Sequence, residues 1–126
     1  MTPRLAIAGA ALLMAAAVVL GAFGAHALKA RFTPDALALW QTAVNYHAWH
    51  ALGLLGLGVL ITQFPNTRGF KAAAWLVVVG IALFSGSLYA LALGAPRAVG
   101  ILTPFGGVSF IAGWLLLAWT ALRALR

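Results

Sequence analysis

Four stretches of this chain, residues 5–28, 42–64, 72–94 and 105–122, contain no Lys, Arg, Asp or Glu. At a rise of about 1.5 Å per residue, a helix of about 20 residues crosses a hydrocarbon core of about 30 Å. Backbone N–H and C=O groups find no water at that depth, so each run must satisfy them internally as a helix. The fold class expected is all-α, an integral membrane four-helix bundle forming one transmembrane domain over residues 1–126. Composition agrees. The chain is 64% hydrophobic and 7% charged, against about half apolar and a quarter charged in a soluble domain. So few charges cannot cover the surface that a chain of 126 residues leaves exposed.

Eight Lys and Arg stand against a single acid, Asp35, for a net charge of +7. On a soluble protein that balance would suggest nucleic acid. Its distribution here argues otherwise, because Arg4, Lys29, Arg31, Arg68, Lys71, Arg97, Arg123 and Arg126 each border an apolar run. There they snorkel to anionic headgroups. Membrane lipids are the expected partners, a homo-oligomer stays open, and nucleic acid is not expected. The absence of cysteine excludes disulfides, thiolate nucleophiles and Cys-based metal centres.

Arg4, the apolar run behind it and Ala25-His26-Ala27 imitate a secretory signal with its cleavage site. Signal cores span only about 7–15 residues, so the first segment is expected to be retained as a span. Thr33-Pro34 followed by Asp35 is a helix-start signal: an N-cap hydroxyl, a proline in the first turn and an acid at the positive dipole end. A second helix from there to Gln63 would be about 43 Å long, more than the hydrocarbon core requires, and Pro65-Asn66 would end it. Thr103-Pro104 repeats the start signal, so residues 95–102 are expected to be a loop before the fourth helix. Four spans put both termini on one side with Arg4, Arg68, Lys71, Arg123 and Arg126, against Lys29, Arg31 and Arg97 on the other. That asymmetry puts the termini in the cytoplasm.

Small residues at four-residue spacing let transmembrane helices approach closely. They recur as Ala17, Gly21 and Ala25, as Ala82, Gly86, Ala90 and Gly94, and as Ser109 with Gly113. On a helical wheel Asp35, Thr42, Tyr46, His50 and Gly53 share one face of the second helix, flanked by Gln41, Asn45 and Trp49. Polar groups at membrane depth need partners, so this stripe should face the bundle interior. Tyr46 and His50 are then expected to meet the first and third helices, with His26 or Ser85 as partners. His47 and His50, three residues apart, could share a metal, with His26 ending the first helix on the same membrane side, but a metal site usually wants three or four ligands and the chain has a single carboxylate. On the third helix Ser85 and Tyr89 share a face and Ser87 lies opposite.

In order and spacing, Gly21-Ala22-Phe23-Gly24-Ala25-His26, Gln41-Thr42 with Tyr46 and His50, Leu83 through Tyr89, and Thr103-Pro104 with Gly106-Gly107, Phe110 and Gly113-Trp114 resemble the YgdD-like family of small inner-membrane proteins (domain of unknown function 423). The resemblance covers nearly the whole chain. It implies four transmembrane helices in a bacterial inner membrane and no particular activity. It also implies a motif made of His26, Thr42, Tyr46, His50, Ser85, Ser87, Tyr89 and Thr103, whereas His47 and Asn45 fall outside it. Helix packing is assigned to Gly21, Ala25, Gly86, Ala90, Gly106, Gly107 and Gly113.

The reading that follows is a non-catalytic membrane protein with no catalytic residue, metal or cofactor assigned. Its polar cluster packs the bundle and binds a lipid or small amphiphile. A neutral-solute channel or transporter acting as an oligomer, and a histidine-ligated cofactor protein, are the alternatives.

Overall fold

The structure, a computed structural model, describes residues 1–125. Arg126, one of the cations counted above, lies outside the described residues. Four helices carry the chain: α1 Pro3–Leu28, α2 Pro34–Gln63, α3 Arg68–Ala92 and α4 Arg97–Ala124, each long and apolar enough to cross a membrane. Helix α1 packs against α2, α2 against α3, and α3 against α4, so α1 and α4 form the flanks. Lipid is the solvent for those flanks, where Leu12 is 72% exposed and Leu122 is 81% exposed.

Hydroxyls and prolines start the first two helices. Thr2 Oγ1 accepts from Leu5 N at 3.2 Å and Thr33 Oγ1 from Ala36 N at 3.2 Å. A proline follows each cap, in the first turn, where a missing N–H removes nothing from the helix. Helix α3 stops at Gly94, whose φ of 97° is the left-handed conformation that glycine adopts without penalty. The next N–H, that of Ala95, reaches back to Ala90 O at 2.9 Å and occupies a terminal carbonyl. Gly94 is therefore a helix stop, not the last member of a packing stripe.

The fourth helix departs from its expected start. Residues Arg97–Ile101 form a 3₁₀ turn that runs directly into the α-helix at Leu102. Pro104 then falls in the first α-turn, where it removes no intrahelical donor. Thr103 is thus not an N-cap, and its hydroxyl is free to bond across the bundle.

Two π-turns, Gly24–Leu28 in α1 and Ile81–Ser85 in α3, add one residue to their turn. Each rotates the residues beyond it by about 100° relative to a regular helix. Both lie where another helix comes very close. A Cβ at Gly24 would lie 2.5 Å from Trp40 Cδ1. A Cβ at Gly106 would meet the backbone of Phe84, inside the second π-turn.

The main core sits in the half of the bundle nearer the α2–α3 connection and is built from Leu54, Leu57, Ile61, Phe70, Ala73, Ala74, Val77 and Phe110, with Ala6 and Ala10 of α1. Trp40, Val44, Leu28 and Ala92 make a smaller core in the other half. Lipid tails are as apolar as these side chains, so close packing and hydrogen bonds, not burial from water, hold the helices together.

Candidate functional site

The buried face of α2 reads Trp40, Ala43, Val44, His47, His50, Ala51, Leu54, Leu57, Gly58 and Ile61. These positions repeat every three or four residues, the period of one helical face. That face is rotated from the expected stripe. Asp35 and Thr42 are exposed, Tyr46 is half-buried, and His47 lies near the centre at 4% exposure.

Three groups of polar side chains cross the bundle. Between α2 and α4, the Trp114 indole N–H donates to His50 Nε2 at 3.1 Å, and His50 Nδ1 lies 2.7 Å from Tyr46 O. An indole can only donate, so Nε2 is the lone-pair nitrogen and Nδ1–H donates to the Tyr46 carbonyl. Both nitrogens are committed. The imidazole lies flat on Phe110, with centroids 3.5 Å apart and planes 15° apart, while Tyr46 packs on Phe84 at 4.5 Å. The expected His26 and Ser85 partners of His50 are replaced by Trp114 and the helix's own backbone.

Between α2 and α3, the Ser85 hydroxyl donates to Ala43 O at 2.8 Å, with Ser85 fully buried. His47 Nδ1 and Tyr89 OH lie 2.9 Å apart, and Trp40 packs edge-on against Tyr89 with centroids 4.8 Å apart. Trp40 Nε1 donates to Leu20 O at 2.9 Å, tying α2 to α1 across Gly24. His47 Nε2 is buried and has no hydrogen-bond partner among the described residues, with the Leu13 backbone of α1 beside its ring.

Between α3 and α4, the Ser87 hydroxyl donates to Phe84 O at 2.9 Å and pairs with Thr103 Oγ1 at 2.5 Å, so Thr103 supplies the proton of that second bond. Ser109 donates to Leu76 O at 2.6 Å. Ser85 and Ser87, two residues apart and so on opposite sides of α3, reach α2 and α4 respectively.

The structure thus brings together Tyr46, His50, Ser85, Ser87, Tyr89 and Thr103, and leaves His26 and Thr42 exposed outside the cluster. It adds His47, Trp40, Ser109 and Trp114. For His47 and Trp40 the signal was present in the sequence, because positions 40, 43, 44, 47, 51 and 54 repeat at helical spacing. Trp114 carried no such signal.

The small residues divide as well. Gly21 faces Val44, Gly106 faces Phe84, Gly113 faces Leu76 and the Ala73 carbonyl, and a Cβ at Gly107 would lie 3.8 Å from the Phe84 ring. Ala25 is exposed, Ala90 half-buried, and nothing lies within 4 Å of a Cβ at Gly86. The close approaches fall instead on Gly24, Gly58, Gly69 and Gly80, over Trp40, Ile7, Thr120 and Phe110.

Four apolar membrane-length helices, tied by hydrogen bonds between their own buried side chains, define a polytopic α-helical membrane protein. The chain belongs to the family described as protein of unknown function (DUF423), which it matches over residues 20–107. It is 40% identical to the UPF0382 inner membrane protein YgdD of Escherichia coli K12, over 100% of this chain and 95% of that one. It is 42% identical to the UPF0382 membrane protein YwdK of Bacillus subtilis, over 86% of this chain and 89% of the relative. A Staphylococcus haemolyticus relative, the UPF0382 membrane protein SH2409, is 45% identical over 77% of this chain and 78% of its own. No solved structure matches the chain.

Proposed function

We propose that this inner-membrane protein is non-catalytic, that its polar cluster holds the bundle in shape, and that it binds a lipid or small amphiphile. The observation that carries this reading is an apolar groove of about 340 Å³ where α1, α2 and α3 meet, lined by Met1, Leu5, Gly9, Leu12, Leu13, Leu54, Trp75 and Val78. The cluster residues support a structural role because they are spent on one another: His50 has neither nitrogen left for a ligand. For the same reason a cofactor on His50 fits less well, since binding there would first break the Trp114 bond. A neutral-solute path would need a row of unpaired polar groups along it, whereas the cluster pairs across three helix interfaces and leaves His47 Nε2 as its one buried side-chain atom without a partner among the described residues.

The test is lipid retention. Gly9 lines the groove and a Cβ there meets nothing within 4 Å, so Gly9→Phe is expected to put its ring into the groove. Lipid extracted from protein purified in mild detergent and counted by mass spectrometry is expected to fall from about one tightly held molecule per chain to none. The thermal midpoint should hold, because phenylalanine, although a weaker helix former than alanine, is a better one than the glycine it replaces. Undiminished lipid in Gly9→Phe would overturn the reading.

A further inference from the structure

We infer that the groove is a site for one anionic glycerophospholipid, with an acyl chain along α1 and α3 and the phosphate at the end of the bundle that carries the α2–α3 connection. The inference rests on the lipid-binding reading and names its ligand class.

The depth suits one leaflet. From Met1 to Leu13 the groove follows α1 for twelve residues, about 18 Å, and half of a hydrocarbon core is about 15 Å. Its walls are apolar along that length, as an acyl chain requires.

Charge at the mouth selects the headgroup. On α3, Arg68, Lys71, Trp75 and Val78 are spaced three, four and three residues apart, so both cations continue the groove-lining face toward the membrane surface. Arg4, exposed in the first turn of α1, lies in the chain between the groove-lining residues Met1 and Leu5. Among the described residues none of the three has an acidic side chain near it, because Asp35, the one Asp or Glu of the chain, begins α2 at the opposite end of the bundle. Arg123, another cation of this end, sits 4.1 Å over the Trp119 ring. Three cations with no acidic side chain among the described residues at that end, at the mouth of an acyl-sized groove, fit a phosphodiester whose headgroup adds no compensating positive charge. Trp75, 49% exposed between Lys71 and Val78, would lie against the bound chain.

Trp75 makes the site readable. The full chain is reconstituted in bilayer discs containing phosphatidylcholine or phosphatidylglycerol with brominated acyl chains, and the quenching lost on Trp75→Phe isolates the signal of that residue. Phosphatidylglycerol is expected to compete for the site at least fivefold better than phosphatidylcholine. Lys71→Gln and Arg68→Gln should each weaken that preference about fivefold, the effect of one cation near an anionic surface. Both substitutions are at the helix start, outside the core, and circular dichroism of each variant checks its fold. Equal quenching by the two lipids that disappears in Gly9→Phe would overturn the anionic assignment and leave the lipid groove standing. Equal quenching that survives Gly9→Phe would overturn both.

Discussion

His50 shows how a polar side chain is accommodated at membrane depth. It lies sixteen residues past Pro34, about 24 Å along α2, too far from either surface to snorkel. One nitrogen donates to its own helix at Tyr46 and the other accepts from Trp114, with Phe110 covering the ring face. Trp114→Phe removes the donor and keeps most of the aromatic volume. Hydrogen bonds between membrane helices average about 0.6 kcal/mol and reach about 1.7 kcal/mol. The substitution is therefore expected to lower unfolding free energy in detergent by about 0.5–1.5 kcal/mol, measured by denaturant titration. Trp75→Phe, which removes no hydrogen bond of the bundle, should leave it within about 0.5 kcal/mol. That His50 needs a partner was legible in the sequence from depth and cost. The partner's identity was not, because Trp114 comes from sixty-four residues away on a flank helix whose rotation no local pattern sets.

At the scale of the element, α3 departs most from an ideal helix. Ala82, Gly86 and Ala90 form a stripe only if the helix is regular, and the π-turn Ile81–Ser85 breaks that register. As a result Gly86 opens onto empty space while Gly106 of α4 presses on Phe84. The two glycines should respond oppositely to the same change. Gly106→Ala drives a methyl into the Phe84 backbone and is expected to destabilise by about 1–3 kcal/mol. Gly86→Ala meets nothing and should be neutral or stabilise by up to about 1 kcal/mol through helix propensity. Thermal unfolding in detergent compares them, and a Gly86→Ala variant as damaged as Gly106→Ala would mean that the α3 stripe packs against another chain. The starts of α1 and α2 were readable because Thr-Pro caps act locally. The start of α4 was misread because Thr103 is recruited by Ser87, a neighbour only in three dimensions.

For the whole molecule, charge decides orientation. Arg4, Arg68, Lys71 and Arg123 share one end, with Lys29, Arg31 and Arg97 at the other. The proposal that follows from the positive-inside rule is a cytoplasmic location for both termini. A phosphatase active only in the periplasm, fused after the last residue, should be inactive there and active when inserted between Lys29 and Thr33. The reverse pattern would invert the protein and move the cationic groove mouth to the outer leaflet. Length, apolarity and the placement of charge made four membrane helices legible from the sequence alone, because the bilayer imposes its thickness and polarity on each segment separately. Which face of each helix turns inward, which hydroxyl meets which carbonyl, and where α1 and α3 stand apart to leave a groove were decided only in the folded chain. Those outcomes depend on contacts of a few ångströms at Gly24, Gly80 and Gly106 and on two π-turns. Helix association in lipid rests on such close fits, with no exclusion from water to reveal the inward face as a hydrophobic stripe.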